Sequence, residues 1–223
     1  MDYVLVHGTT QSTAGWQRLT ESLRRRGHRV HSVDLPTDQP DLLAADYARV
    51  AAEQIGDSVR EPVVVAHSGA GLLLPRIAQA LRANRLVWLA AFVPDFTHGR
   101  SLLDEVREQG SAMFFDEWRS LTEPPTADPA VATYFLFHDC DLNTLRWALP
   151  TLRLFYPAAA YAESPHPGSV APSTFVLPTG DRTLHPEWMR AAARDRLGIE
   201  PIEIDGGHCP HVSRPEVVAD AIT

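Results

Sequence analysis

Val63-Val64-Val65-Ala66-His67-Ser68-Gly69-Ala70-Gly71 is an apolar run that halts at a serine set among small residues and resumes as Leu72-Leu73-Leu74. The first part has the length and β-branched content of a buried strand, and the leucines that follow read as the start of a helix. A serine on so sharp a strand-to-helix turn adopts a strained backbone conformation that only small neighbours such as Ala66, Ala70 and Gly71 accommodate. The stretch therefore reads as a nucleophile elbow, with Ser68 at the carboxyl end of a strand. Taken alone, a serine in this place caps a helix as readily as it attacks a carbonyl, so the reading needs partners.

Two later segments supply them. Ser173-Thr-Phe-Val-Leu-Pro178 reads as a strand and runs into Thr179-Gly180-Asp181-Arg182, which puts a carboxylate just past its end. Pro201-Ile-Glu-Ile204 leads into Asp205-Gly206-Gly207-His208 and does the same for an imidazole. Serine, acid and histidine in that chain order are one of the known arrangements of a catalytic triad. His208 would take the Ser68 proton during attack and return it to the leaving group, while Asp181 would fix the imidazole tautomer. The developing oxyanion needs backbone donors, expected from the Gly69 amide and from the Thr9 amide after the strand Val4-Leu5-Val6. Gly8 would let that loop approach the substrate. Asp181 could instead start a turn before Pro186, and Asp95, after the strand Leu86–Phe92, is the substitute acid. The spacing of His208, Cys209 and His211 matches no common zinc pattern, so neither metal nor cofactor is expected.

Strand patterns near 2–6, 29–33, 62–67, 85–91, 173–178 and 201–205 alternate with helical ones near 14–26, 42–57, 70–82, 186–196 and 215–222. Such alternation predicts an α/β fold, a mostly parallel six-stranded sheet with helices on both faces, formed by residues 1–223 as one domain. The rhythm breaks between about 98 and 165, a helical insertion rich in aromatics and placed where a lid would cover the site. Most of its aromatics should form its own core; Phe115, Trp118, Phe137 and Trp147, together with His67, are the candidates to line an apolar pocket. Pro165-His166-Pro167 should return the chain to the sheet through an irregular loop.

The 223 residues are 44% hydrophobic and 22% charged, enough to bury one sizeable core. A net charge of −8 argues against nucleic acid and anionic membrane as partners. No apolar stretch approaches the roughly 20 residues that span a bilayer, and no basic and apolar leader precedes the first strand. The two cysteines, Cys140 and Cys209, form no disulfide framework, and the expected location is cytoplasmic.

With these residues in view, the chain resembles the small-molecule esterase branch of the α/β-hydrolase superfamily, which contains plant methyl esterases, hydroxynitrile lyases and bacterial relatives. The likeness extends over nearly the whole chain. It is most specific at His7-Gly8, at Ala66–Gly71, at Ala90-Ala91-Phe92-Val93-Pro94, at Gly180-Asp181-Arg182 and from Gly207 to Pro215. It implies an α/β-hydrolase fold, a Ser68–His208–Asp181 triad, a helical cap over a mainly apolar pocket, and a homodimer. The lyases of the branch have Thr at the position of Gly8 and Lys at that of Cys209, so the resemblance favours hydrolysis. The loop Thr9–Trp16 departs from the pattern His-Gly-x-x-His-Gly-Ala-Trp-x-Trp and keeps a counterpart only at Trp16. The expected protein is a cofactor-free serine hydrolase cleaving a small ester or lactone with an apolar acyl part. The alternatives are a tailoring enzyme performing lactonisation, cyclisation or carbon–carbon cleavage, and a ligand-binding protein of low turnover.

Overall fold

The computed structural model describes residues 1–165 and 171–223, so part of the expected Pro165–Pro167 loop lies outside the described residues. The strands are β1 (Asp2–Val6), β2 (Arg29–Val33), β3 (Val63–His67), β4 (Arg85–Leu89), β5 (Ser173–Pro178) and β6 (Ile202–Ile204). They form one six-stranded sheet in the order β2-β1-β3-β4-β5-β6, every pair parallel. Strand alternation sorts their side chains to two cores. Tyr3, Leu5, Val63, Val65, Val87, Leu89 and Val176 face α1 (Gln17–Arg25) and the C-terminal helix through Leu19, Leu23, Val218 and Ile222. Val4, Val6, Val64, Ala66, Leu86, Trp88, Phe175 and Leu177 face α2 (Ala44–Ile55), α3 (Leu74–Leu81) and a later helix through Tyr47, Ala51, Ile77 and Ala193. Because all six strands run one way, the loops after β1, β3, β4, β5 and β6 gather at a single edge.

Two of the expected helices start later than their apolar pattern. The segment after Ser68 is a 3₁₀ turn, Ser68–Leu72, before α3 begins at Leu74. Pro75 has no N–H to offer the Gly71 carbonyl, so an unbroken α-helix through this stretch would lack a bond, and proline is instead accommodated in the first turn of α3. Thr13–Trp16 is likewise 3₁₀ ahead of α1.

Between β4 and β5 the chain forms α4 (Leu102–Met113), α5 (Asp116–Arg119), α6 (Pro129–Leu136), α7 (Leu142–Ala148) and α8 (Ala158–Ala162). Ser101, Asp128 and Asp141 cap α4, α6 and α7 by accepting backbone N–H groups of the first turn. Ala132, Phe135, Leu136, Phe137 and Ala148 bury against Cys209 and Val212, making a third core beside the loop that carries His208. Met113, Phe155 and Tyr161 join the sheet's own core instead, so the insert is anchored on two sides. The chain ends with α9 (Pro186–Leu197), α10 (Pro210–Ser213) and α11 (Pro215–Ile222), each opened by a proline that needs no N–H partner there.

Candidate active site

Ser68 follows β3 with φ of 53°, the left-handed region that a non-glycine residue occupies at a cost of order 1–3 kcal/mol. The surrounding packing holds it there, its carbonyl accepting the Phe92 amide at 3.1 Å. Ser68 Oγ lies 3.0 Å from His208 Nε2, and His208 Nδ1 lies 2.7 Å from Asp181 Oδ2. The other Asp181 oxygen accepts the amides of Thr183 and Leu184, at 2.7 and 3.0 Å, which fixes the carboxylate plane. All three residues are buried, so the chain of hydrogen bonds is shielded from water. The arrangement suits proton removal from the serine by an imidazole whose tautomer the carboxylate sets. Asp95 is elsewhere. It accepts bonds from His98 and from Arg100, the latter at 2.7 Å, and these hold its carboxyl at about 2 although burial opposes ionisation.

The loop after β1 closes on the elbow. A Cβ on Gly8 would stand 2.8 Å from the His67 carbonyl and 2.9 Å from Ser68 Cβ, so only glycine permits this approach. Gly69 opens the Ser68–Leu72 turn, where the first amides have no intrahelical acceptor, and the Thr9 amide has no acceptor among the described residues. These are the two segments from which the oxyanion donors are expected. A Cβ on Gly69 would lie 2.0 Å from Tyr161 Oη and 2.3 Å from Thr9 Oγ1, so those hydroxyls fill the space that another residue's side chain would take.

His67 Nε2 donates to the His208 carbonyl at 2.9 Å and its ring packs on those of His208 and His211. Burial, with His211 and His208 nearby, pushes the His67 imidazole well below its ordinary range; burial likewise brings His211 to about 3 and His7 to about 4. Neutral His7 accepts the Leu35 amide at Nε2 and donates to the Gly8 carbonyl from Nδ1. The divergent loop before α1 is tied to the same region: Gln11 bonds Cys209 Sγ, Ser12 bonds the Thr151 carbonyl, and Trp16 stacks on His211.

The five candidates for a pocket wall are placed otherwise. His67 is fully buried behind His208. Phe137 and Trp118 belong to the third core, and Phe115 stacks on His185. Trp147 donates to Gln17 and lies under Arg18, on the α1 side. Their aromatic character serves packing, because the insert must cover its own helices before it can cover a ligand. A cavity of about 420 Å³ lies along α3 and the loop after β4, lined by residues such as Leu72, Arg76, Gln79, Phe92, Asp95 and Glu105; its lining includes none of Ser68, Asp181 and His208 and none of those five. Among the described residues, no cluster of three or more His, Cys, Asp or Glu side chains is arranged to hold a metal, and no helix is long and apolar enough to cross a membrane.

Two residues of the insert make contacts that had no local signal in the sequence. Asp139 Oδ2 accepts the Gly207 amide at 2.9 Å and Ser213 Oγ at 2.7 Å, while His138 Nε2 donates to the Gly180 carbonyl at 2.9 Å. One His-Asp pair therefore holds the residues immediately before His208 and Asp181. Only the fold brings positions this far apart in sequence together.

The model of the family described as "Alpha/beta hydrolase family" matches residues 3–221. No curated protein matches the chain. Among solved structures it is similar to an extracellular alpha/beta-hydrolase from a Paenibacillus species, with TM-score 0.77 and 18% identity over 100% of this chain and 97% of that one. Polyneuridine aldehyde esterase is similar with TM-score 0.77 and 21% identity, covering 98% of this chain and 96% of the other. A methylesterase from Arabidopsis is similar with TM-score 0.75 and 18% identity, over 100% and 97%. These neighbours share the fold, and the branch they represent is the one that the sequence resembles. The chain belongs to the alpha/beta hydrolase family.

Proposed function

We propose that the protein is a cofactor-free serine hydrolase that cleaves a small carboxylic ester or lactone through an acyl-enzyme on Ser68. The observation that carries this reading is the continuous chain of hydrogen bonds from Asp181 through His208 to Ser68. As Ser68 Oγ bonds to the carbonyl carbon, its proton passes to His208 Nε2 and the carbonyl oxygen becomes an oxyanion facing the Gly69 and Thr9 amides. Collapse breaks the bond to the alkoxy oxygen, which leaves with the proton from His208. Water then repeats the sequence, releasing the acid and restoring the serine.

Hydrolysis is favoured over cyanohydrin cleavage by the residue after His208. Cyanide as a leaving group calls for a positive charge close by, and Cys209 carries none: it is fully buried, its thiol is pushed up by burial, and it touches Gln11.

The test is steady-state hydrolysis of 4-nitrophenyl acetate and of simple methyl esters by the wild type and by Ser68→Ala. The wild type should turn over many times per site, and the variant should lose about 10⁶-fold in kcat. A wild type that is stabilised by such esters without turning them over would sink the enzyme reading and leave a ligand-binding protein.

A further inference from the structure

We propose that Tyr161, from α8 of the insert, is a catalytic residue whose phenolic hydroxyl is a third donor to the oxyanion, oriented by the side chain of Thr9. The inference rests on the serine-hydrolase reading and adds a residue to it.

Three observations place the hydroxyl. First, Tyr161 is 4% exposed, and its Oη stands against Gly69, close enough that a Cβ there would collide with it, on the residue whose amide is expected to bind the oxyanion and which follows the nucleophile. Second, Tyr161 Oη and Thr9 Oγ1 are 2.8 Å apart, and neither has another partner among the described residues. Two hydroxyls bring two hydrogens, their shared bond uses one, and the other has no acceptor among the described residues. A buried donor left without a partner is costly, and an arriving carbonyl oxygen would remove that cost. Third, Thr9 is itself held, its carbonyl accepting the Phe155 amide, so the loop after β1 is tied to the segment that leads into α8 and Tyr161.

Which hydroxyl faces the substrate follows from acidity. A phenol is a far better hydrogen-bond donor toward developing negative charge than an aliphatic alcohol, and tyrosine is among the side chains that build such holes. Thr9 Oγ1–H therefore donates to Tyr161 Oη, and the Tyr161 O–H points to the oxyanion. Burial pushes the phenol's pKa upward, which keeps it protonated through the neutral range and able to donate. The same geometry explains the glycine at 69: any side chain there would displace the donor.

The test compares wild type, Tyr161→Phe, Thr9→Val and Tyr156→Phe on 4-nitrophenyl acetate, and measures the rate at which a fluorophosphonate labels Ser68. Tyr161→Phe should lower kcat by about 10- to 100-fold, leave KM within about threefold, and slow phosphonylation by a similar factor. Thr9→Val should have a smaller effect of the same kind, because the phenol keeps its own hydrogen. Tyr156, half-exposed and stacked on Tyr161, should tolerate Phe without change. Thermal midpoints check that the variants are folded. Site-specific 3,5-difluorotyrosine at 161 keeps the oxygen and should add a basic fall to the pH profile of kcat at lower pH than in the wild type, as the more acidic phenol ionises. An unchanged or increased kcat in Tyr161→Phe, or a loss confined to KM, would overturn the proposal while leaving Ser68 as nucleophile. An inert wild type would overturn both readings.

Discussion

The elbow at Ser68 and the insert from Leu102 to Ala162 are both rich in apolar residues, yet they specify structure in different ways. At the elbow, strand and turn are encoded by neighbours in sequence: a β-branched run, a serine, and small residues that a sharp turn requires. In the insert, helices are encoded locally by caps at Ser101, Asp128 and Asp141, but what each helix touches is decided by surfaces elsewhere in the chain. Function divides along the same line. The proposed triad comes from loops at one sheet edge, whereas Asp139 and His138, which hold the backbone before His208 and Asp181, and Tyr161, the proposed oxyanion donor, come from the insert.

The largest effect that sharpens this contrast concerns the acid. Asp181→Asn should lower kcat by about 10⁴-fold by favouring the wrong imidazole tautomer, whereas Asp95→Asn should leave kcat within about twofold. Steady-state kinetics of the two variants decides it, and the reverse ranking would move the triad's acid to the β4 loop.

Next comes acid stability. His7, His67 and His211 are buried and held below the ordinary histidine range, two of them at about 4 and about 3. The unfolded chain binds protons that these rings refuse, so stability is full above pH ~6.5 and falls as pH drops toward about 4. Urea unfolding at pH 7 and pH 5 should differ by on the order of several kcal/mol, and His211→Phe should reduce the difference. Carboxylates such as Asp95 and Glu216, each held at about 2, weaken the fold only below this window.

A smaller effect is expected at the contact between insert and triad loops. Asp139→Ala removes the acceptor for the Gly207 amide and for Ser213, and should lower kcat by about 10- to 100-fold through misplacement of His208. Asp139→Asn, which keeps one oxygen, should recover part of the loss. Smallest of all is Trp147→Ala: the half-buried ring packs on Arg18, Gln17 and the third core and bonds no triad residue, and kcat should stay within about twofold.

Much of this molecule is legible in its sequence because period-2 and helical patterns are local. All six strands fall where the apolar runs place them, and the elbow, the Asp181 turn and the His208 turn fall at their carboxyl ends. The 3₁₀ start of α3 was hidden by the leucines and explained by Pro75. The pocket aromatics were not legible. Phe137 and Trp118 have the same hydrophobic signal whether they face a ligand or Cys209 and Val212, and only the packed insert distinguishes the two. Asp139 and His138 act through backbone groups of glycines 68 and 42 residues away, contacts that leave no periodic trace.

The central claim is that Ser68 is the nucleophile, and intact-mass analysis after treatment with a fluorophosphonate tests it most directly. One phosphonyl adduct should form on the wild type, map to Ser68, and be absent from Ser68→Ala. Equal labelling of both proteins, or an unlabelled wild type that still hydrolyses esters, would contradict the account.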